Sequence, residues 1–248
     1  LEKKLALLFY QIVSRDPSLQ TFVILPVILI TFSSALLFAL SVHEFGHAFI
    51  AYKLGDRTAK ISGRLSLNPI RHLDPLGSLM FLLVGFGWGK PVPVDIVALN
   101  NSLRDLAFVS LAGPASNFLF ALFLGLFARF FSIPILPFSY ALDPQFIYIN
   151  ITNPLVWLGS FLSFSIVYNI VLGTFNLIPL APLDGSKILI GVSPRKFLPQ
   201  IFILERYGPF VLMVLVGLDL FFGVSTIWRI VFPPVYLFSQ VVVGYSLI

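Results

Sequence analysis

Two histidines four residues apart, His43 and His47, with Glu44 beside the first, are the residues of this 248-residue chain best equipped for chemistry. On a helix, positions i and i+4 share a face, so both rings can meet one cation. Glu44 lies about 100° around the helix from His43, where it can flank the cation as a base without ligating it. His-Glu-x-x-His on a helix is a zinc-binding spacing. Scarcity strengthens the reading: two of the three His and one of the three Glu fall within these five positions. A closed structural or transport site is the alternative, but such a site does not need the carboxylate between the histidines.

The elements that must position these residues are apolar. The motif follows 21 uncharged residues, Phe22 to Val42. The whole chain is 58% hydrophobic and 11% charged, with 27 Phe. A soluble domain of this size carries about a quarter charged residues. The expected fold is therefore an α-helical polytopic membrane protein, a helix bundle forming one domain over 1–248. Without Cys, disulfides are excluded and a metal must use His and carboxylate. The net charge of +5 suits anionic lipid headgroups rather than nucleic acid.

Along the chain, residues 1–20 read as an interfacial amphipathic helix, with Leu1, Leu5, Leu8, Phe9 and Ile12 on one stripe. Residues 21–53 form the first span and carry the motif. Lys53, Arg57, Lys60, Arg64 and Arg71 follow within twenty residues and mark the cytoplasmic side. Residues 58–95 are expected to hold a small membrane-embedded β-strand and re-entrant region. Ile61, Gly63, Leu65 and Leu67 alternate with polar residues, as in a half-exposed strand, and the Gly-rich run Pro75 to Gly89 is short for a span. Further spans are expected over 105–130, 155–178 and 207–230. In the first of these, Ala112-Gly113-Pro114-Ala115-Ser116-Asn117 lets another helix approach closely, and Asn117 needs a polar partner in lipid.

Counting spans brings Asp184 to the same side as His43, which lies about 15 Å inside the cytoplasmic end of its helix. Two His and one carboxylate with an open fourth position make a catalytic rather than a closed zinc set. His72 is another candidate nitrogen ligand, read first as structural or gating. Asp219, an intramembrane carboxylate, is expected in an interhelical hydrogen bond or facing water.

His-Glu-Phe-Gly-His at the end of the first span, with Asn176-Leu177-Ile178-Pro179-Leu180-Ala181-Pro182-Leu183-Asp184-Gly185 far downstream, resembles the site-2 protease family of intramembrane zinc metalloproteases. Between them, Asn68 to Leu79, Gly87 to Asp95 and Ala112 to Asn117 resemble further family segments in order. No polar insert of domain size interrupts the chain, so the resemblance is to the compact bacterial and archaeal branch without a PDZ or nucleotide-sensing domain. It implies one Zn2+ per chain held by His43, His47 and Asp184, with Glu44 as catalytic base. It also implies a transmembrane-helix protein as substrate, cleaved within the bilayer, and a multi-pass cell-membrane protein with its active site toward the cytoplasm. Neither substrate identity nor oligomeric state follows.

Zinc would polarise the scissile carbonyl and acidify its water. Glu44 would move the proton to the leaving amine. Asn176 is a candidate donor to the oxyanion, or else satisfies backbone freed by Pro179. A helical substrate must be held extended, and strand addition along Ile61, Gly63 and Leu65 or along Gly87, Gly89 and Pro91 would do so. The competing classes are a membrane metal transporter and a non-proteolytic metal-binding scaffold. Against the first, the polar residues cluster at one end rather than lining a path across the bilayer.

Overall fold

The computed structural model describes residues 19–77, 89–143, 146–147, 150 and 152–247. The expected amphipathic helix over 1–20 and most of the Gly-rich run, including Gly87, lie outside the described residues.

Among the described residues, four helices are long and apolar enough to cross a membrane. The first, α1 (Leu19–Lys53), continues through Pro26 and ends in basic Lys53. After a short α2 (Thr58–Ile61) come α3 (Ser102–Phe130), α4 (Phe138–Ala141), α5 (Pro154–Asn176) and the nine-residue α6 (Asp184–Val192). The chain closes with α7 (Leu198–Phe222) and α8 (Thr226–Val242). The architecture is the expected helix bundle.

The centre of the bundle is α3, packed against α1, α5 and α6. Lipid is as apolar as a leucine side chain, so helices in it associate by close packing and hydrogen bonding rather than by hiding apolar surface. Small residues on both sides allow this. Ala35, Ala39, Ala48 and Ala51 of α1 are fully buried. At Gly46 a methyl group would stand 2.6 Å from the Ala112 carbonyl oxygen, so the α1 and α3 backbones nearly touch there. Toward the other end of α1 the packing is aromatic: Phe32 meets Phe164 and Tyr168 edge-on, with Ile24, Ile28, Val231 and Val235 around them.

Two expectations are corrected. Residues 61–67 do not form a strand. Asp56 Oδ1 accepts the Thr58 amide and starts α2 instead, and Gly63, at φ +70°, turns the chain away. A run of alternating residues this short cannot hold extended geometry without a partner strand, and among the described residues the β pairing present is an isolated antiparallel bridge between Leu73 and Gly89. The last expected span is displaced: α7 occupies 198–222 rather than 207–230, stopped by Gly223 in a left-handed conformation (φ +66°). The residues after it form α8, whose Val231 and Val235 are buried in the bundle. Asp219 explains the break. Its carboxylate accepts the amides of Thr226 (2.6 Å) and Ile227 (2.8 Å), capping α8 as α7 ends.

Candidate metal centre

The last turns of α1 carry His43 and His47 on one face, as their spacing requires, and both are buried. Asp184 arrives from elsewhere. The chain leaves α5 at Asn176, passes Pro179 and Pro182 in tight turns, and opens α6 with Asp184 as its first residue. Gly185 makes this placement possible, because a Cβ there would run into the carbonyls of Leu177 and Ile178. The three side chains meet: His43 Nε2 and His47 Nε2 stand 3.0 Å apart, and Asp184 Oδ2 lies 3.0 Å from the first and 3.2 Å from the second.

One face of α3 forms the back wall. Val109, Gly113 and Asn117 recur every four residues along it. His47 Nδ1 donates to the Val109 carbonyl at 2.7 Å, and His43 Nδ1 lies 2.6 Å from Asn117 Oδ1. Between them, Gly113 leaves room for both rings, since a Cβ there would collide with His47 Nε2 and Cε1 and stand 2.8 Å from His43 Cε1. The Ala112 to Asn117 motif read from the sequence as a packing surface is thus also the wall of the site. The signal was present in the small residues and the lone Asn, but their target was not.

These contacts test whether a cation fits. With both Nδ1 atoms donating outward, each neutral imidazole presents an Nε2 lone pair inward. Two such nitrogens and a carboxylate oxygen form a triangle of acceptors with no hydrogen between them. That cluster is repulsive unless a cation sits in it. Ligands at about 2.0–2.1 Å around a tetrahedral ion stand about 3.3 Å apart, close to the separations observed. The donor set, two imidazoles and a carboxylate, suits zinc, and among the described residues this is the one group of three that could hold a metal.

Glu44, next to His43 on α1, is also buried. Its Oε2 accepts the Val92 amide at 2.9 Å. Val92 lies between Pro91 and Pro93, neither of which has an N–H to offer. The segment is tethered at both ends: Lys90 N–H donates to the His72 carbonyl, and Asp95 N–H to Asp56 Oδ2 at 2.8 Å. Burial works to raise the pKa of Asp56, but hydrogen bonds from the Thr58 and Asp95 amides outweigh it and hold the carboxyl below its ordinary range. Gly89 and Pro91 therefore sit on a segment that passes beside Glu44.

The other candidates have contacts of their own. Asn176 is in the last turn of α5, where its Nδ2 donates to the Leu172 carbonyl at 3.0 Å. His72 is fully buried in its own loop, its Nε2 donating to the Ser66 carbonyl. Ile61 is 83% exposed, and Gly63 is held in its turn by Arg71, which donates to the Gly63 carbonyl at 2.5 Å.

A family model described as peptidase family M50 matches residues 31–216, which include every residue of the site. The chain belongs to peptidase family M50. This is the site-2 protease family, and membership makes the chain a metalloprotease. YwhC of Bacillus subtilis is 38% identical over 192 residues, covering 77% of this chain and 80% of its own length. Rip2 of Mycolicibacterium smegmatis is 36% identical over 160 residues, 62% of this chain and 53% of its own. Zinc metalloprotease MJ0392 of Methanocaldococcus jannaschii is 27% identical over 157 residues, 63% of this chain and 32% of its own. The chain thus spans four-fifths of the first of these relatives, half of the second and a third of the third. No solved structure matches it.

Proposed function

We propose that this M50 peptidase is an intramembrane zinc endopeptidase that cleaves transmembrane segments of membrane proteins. The observation that carries the reading is the acceptor-only triangle of His43, His47 and Asp184 beside a buried Glu44. The zinc assignment is supported by the donor set and by the name of the archaeal relative, a zinc metalloprotease. Bound zinc would supply Lewis-acid polarisation of the scissile carbonyl and a water acidic enough to deprotonate near neutral pH.

The chain's own residues do the rest. His43, His47 and Asp184 leave a fourth position open, as catalytic sets do. Glu44 takes the proton of the attacking water and returns it to the leaving amine. The Val92 amide holds the Glu44 carboxylate in place until substrate arrives. Asn176 keeps a second amide hydrogen free of its Leu172 contact, and that hydrogen is our candidate donor to the oxyanion.

A transmembrane substrate has its peptide groups locked in its own helix, so it must be unwound and offered replacement partners. Gly89 to Val94, already bridged to Leu73 and running beside Glu44, is the edge along which an extended substrate would add. The 61–67 segment is not an extended edge, so this role falls to 89–94. The cluster of Lys53, Arg57, Lys60, Arg64 and Arg71 after α1 supports a multi-pass orientation with the site toward the cytoplasm. The chain works as one membrane domain.

The test uses purified protein in lipid vesicles with a panel of single-span substrates. Cleavage should occur, stop on zinc chelation and return with zinc. Glu44→Gln should lower the rate by about 10²–10⁴-fold while zinc content stays at one per chain. Zinc binding without cleavage of any substrate would instead favour a transporter or scaffold.

A further inference from the structure

Behind His43 lies a chain of buried polar groups that crosses three helices. Asn117 on α3 and Asn169 on α5 are both fully buried. Asn117 Nδ2 donates to the Ala39 carbonyl of α1 at 2.9 Å and to Asn169 Oδ1 at 2.7 Å. Asn169 Nδ2 donates to the Ser165 carbonyl at 2.8 Å.

Donor and acceptor arithmetic gives this chain a direction. A backbone carbonyl can only accept, so the atom of Asn169 facing Ser165 is nitrogen and its oxygen faces Asn117. The Ala39 carbonyl orients Asn117 in the same sense. Asn117 Oδ1 is left facing His43 Nδ1, 2.6 Å away, and an amide oxygen can only accept. His43 Nδ1 must therefore carry the hydrogen, and Nε2 must present its lone pair to the metal. The opposite tautomer would set two lone pairs against each other at 2.6 Å and place a hydrogen where the metal belongs.

We propose that Asn117, oriented by Asn169, is a positioning residue that holds His43 as a metal ligand by fixing its tautomer and ring angle. His47 has a backbone carbonyl for this purpose, which no side-chain substitution removes; His43 depends on two amide side chains from two other helices. The packing of α5 against α3 is thereby coupled to the affinity of the metal site. The inference rests on the zinc reading above, but not on proteolysis.

The chain has three His, so selective ¹⁵N-histidine labelling leaves few signals to assign. Spectra of zinc-free protein in lipid are recorded at rising pH until the ¹⁵N shifts themselves show neutral rings, and the tautomers are compared there. The native protein should show His43 protonated on Nδ1. Asn117→Leu should lose that preference and bind zinc about 10–100-fold more weakly. Asn169→Leu, which leaves every atom touching His43 in place, should show a smaller change of the same sign, about threefold to tenfold. Should Asn117→Leu fail to fold, Asn169→Leu decides alone. A native His43 protonated on Nε2 would overturn the proposal. So would unchanged zinc affinity, or affinity lost while the tautomer stays as in the native protein. Intact zinc binding and tautomer in a protein that cleaves nothing would sink the protease reading and leave this one standing.

Discussion

Two helices of this molecule, α5 and α7, are almost equally apolar, yet they occupy opposite environments. In the most apolar stretch of each, 61% of residues are buried in α5 and 11% in α7. In a water-soluble protein, apolar residues go inside and polar ones outside. In a bilayer both environments are apolar, and the sorting falls to size and polarity. The buried face of α5 holds Gly159, Ser160, Ser163, Ser165, Asn169, Gly173 and Thr174. In α7 the exposed side chains include Phe210, Met213 and Phe221. Its buried carboxylate, Asp219, is used to cap the next helix. The helix that carries the buried Ser, Thr and Asn side chains is the inner one, and there Ser160, Ser163 and Asn169 find protein partners.

The comparison can be broken most directly through the aromatics. Phe164 of α5 is 1% exposed and wedged between Phe32 and Phe138; Phe210 of α7 is 62% exposed. Phe164→Ala should cost about 3–5 kcal/mol of stability, read from unfolding in micelles. Phe210→Ala should change it by about 0.5 kcal/mol or less. Equal losses would mean that α7 has a protein neighbour where we place lipid.

A smaller effect sharpens the role of polarity in α7. Asp219→Ala removes the cap from α8 and leaves two amides without partners. About 1 kcal/mol should be lost, up to about 2. Hydrogen exchange should rise first at Thr226 and Ile227, not along α7. Exchange rising along α7 instead would contradict the capping role.

The smallest expected effect is at Ser165. Its hydroxyl is buried in α5 without a hydrogen-bond partner, unlike Ser160, which donates to the Val156 carbonyl. Ser165→Ala should leave stability within about 0.5 kcal/mol or raise it, whereas Ser160→Ala should lower it by about 1 kcal/mol. A clear loss at Ser165 would reveal a partner for its hydroxyl.

Much of the site was legible because its chemistry is local. His43 and His47 share a face by helix geometry alone, and the scarcity of His and Glu made the motif stand out. Asp184 was reachable by counting spans, since four hydrophobic segments leave few ways to arrange two ends. The small residues of 112–117 announced a close helix contact. Less was legible where a local pattern had two readings. Residues 61–67 alternate like a strand, but the Asp56 turn and Gly63 decide otherwise. The 207–230 window is apolar throughout, so hydropathy could not find the break at Gly223, which depends on a capping contact eight residues long.

By itself the sequence determined the class of fold and pointed to the histidine pair on α1 and the carboxylate that meets it. The fold class and the pair follow from periodicity, composition and the cost of exposing backbone to lipid, which act within one segment, and the carboxylate from the count of spans. Only the tertiary structure decided which wall the histidines lean on. His47 reaches Val109, His43 reaches Asn117, and Gly113 leaves the space between them. It also decided that Asn169 stands behind Asn117 and that Val92 holds Glu44. A hydrogen bond between residues 74 or 48 positions apart depends on how helices and loops dock, and docking in lipid is set by fit rather than by hydrophobicity.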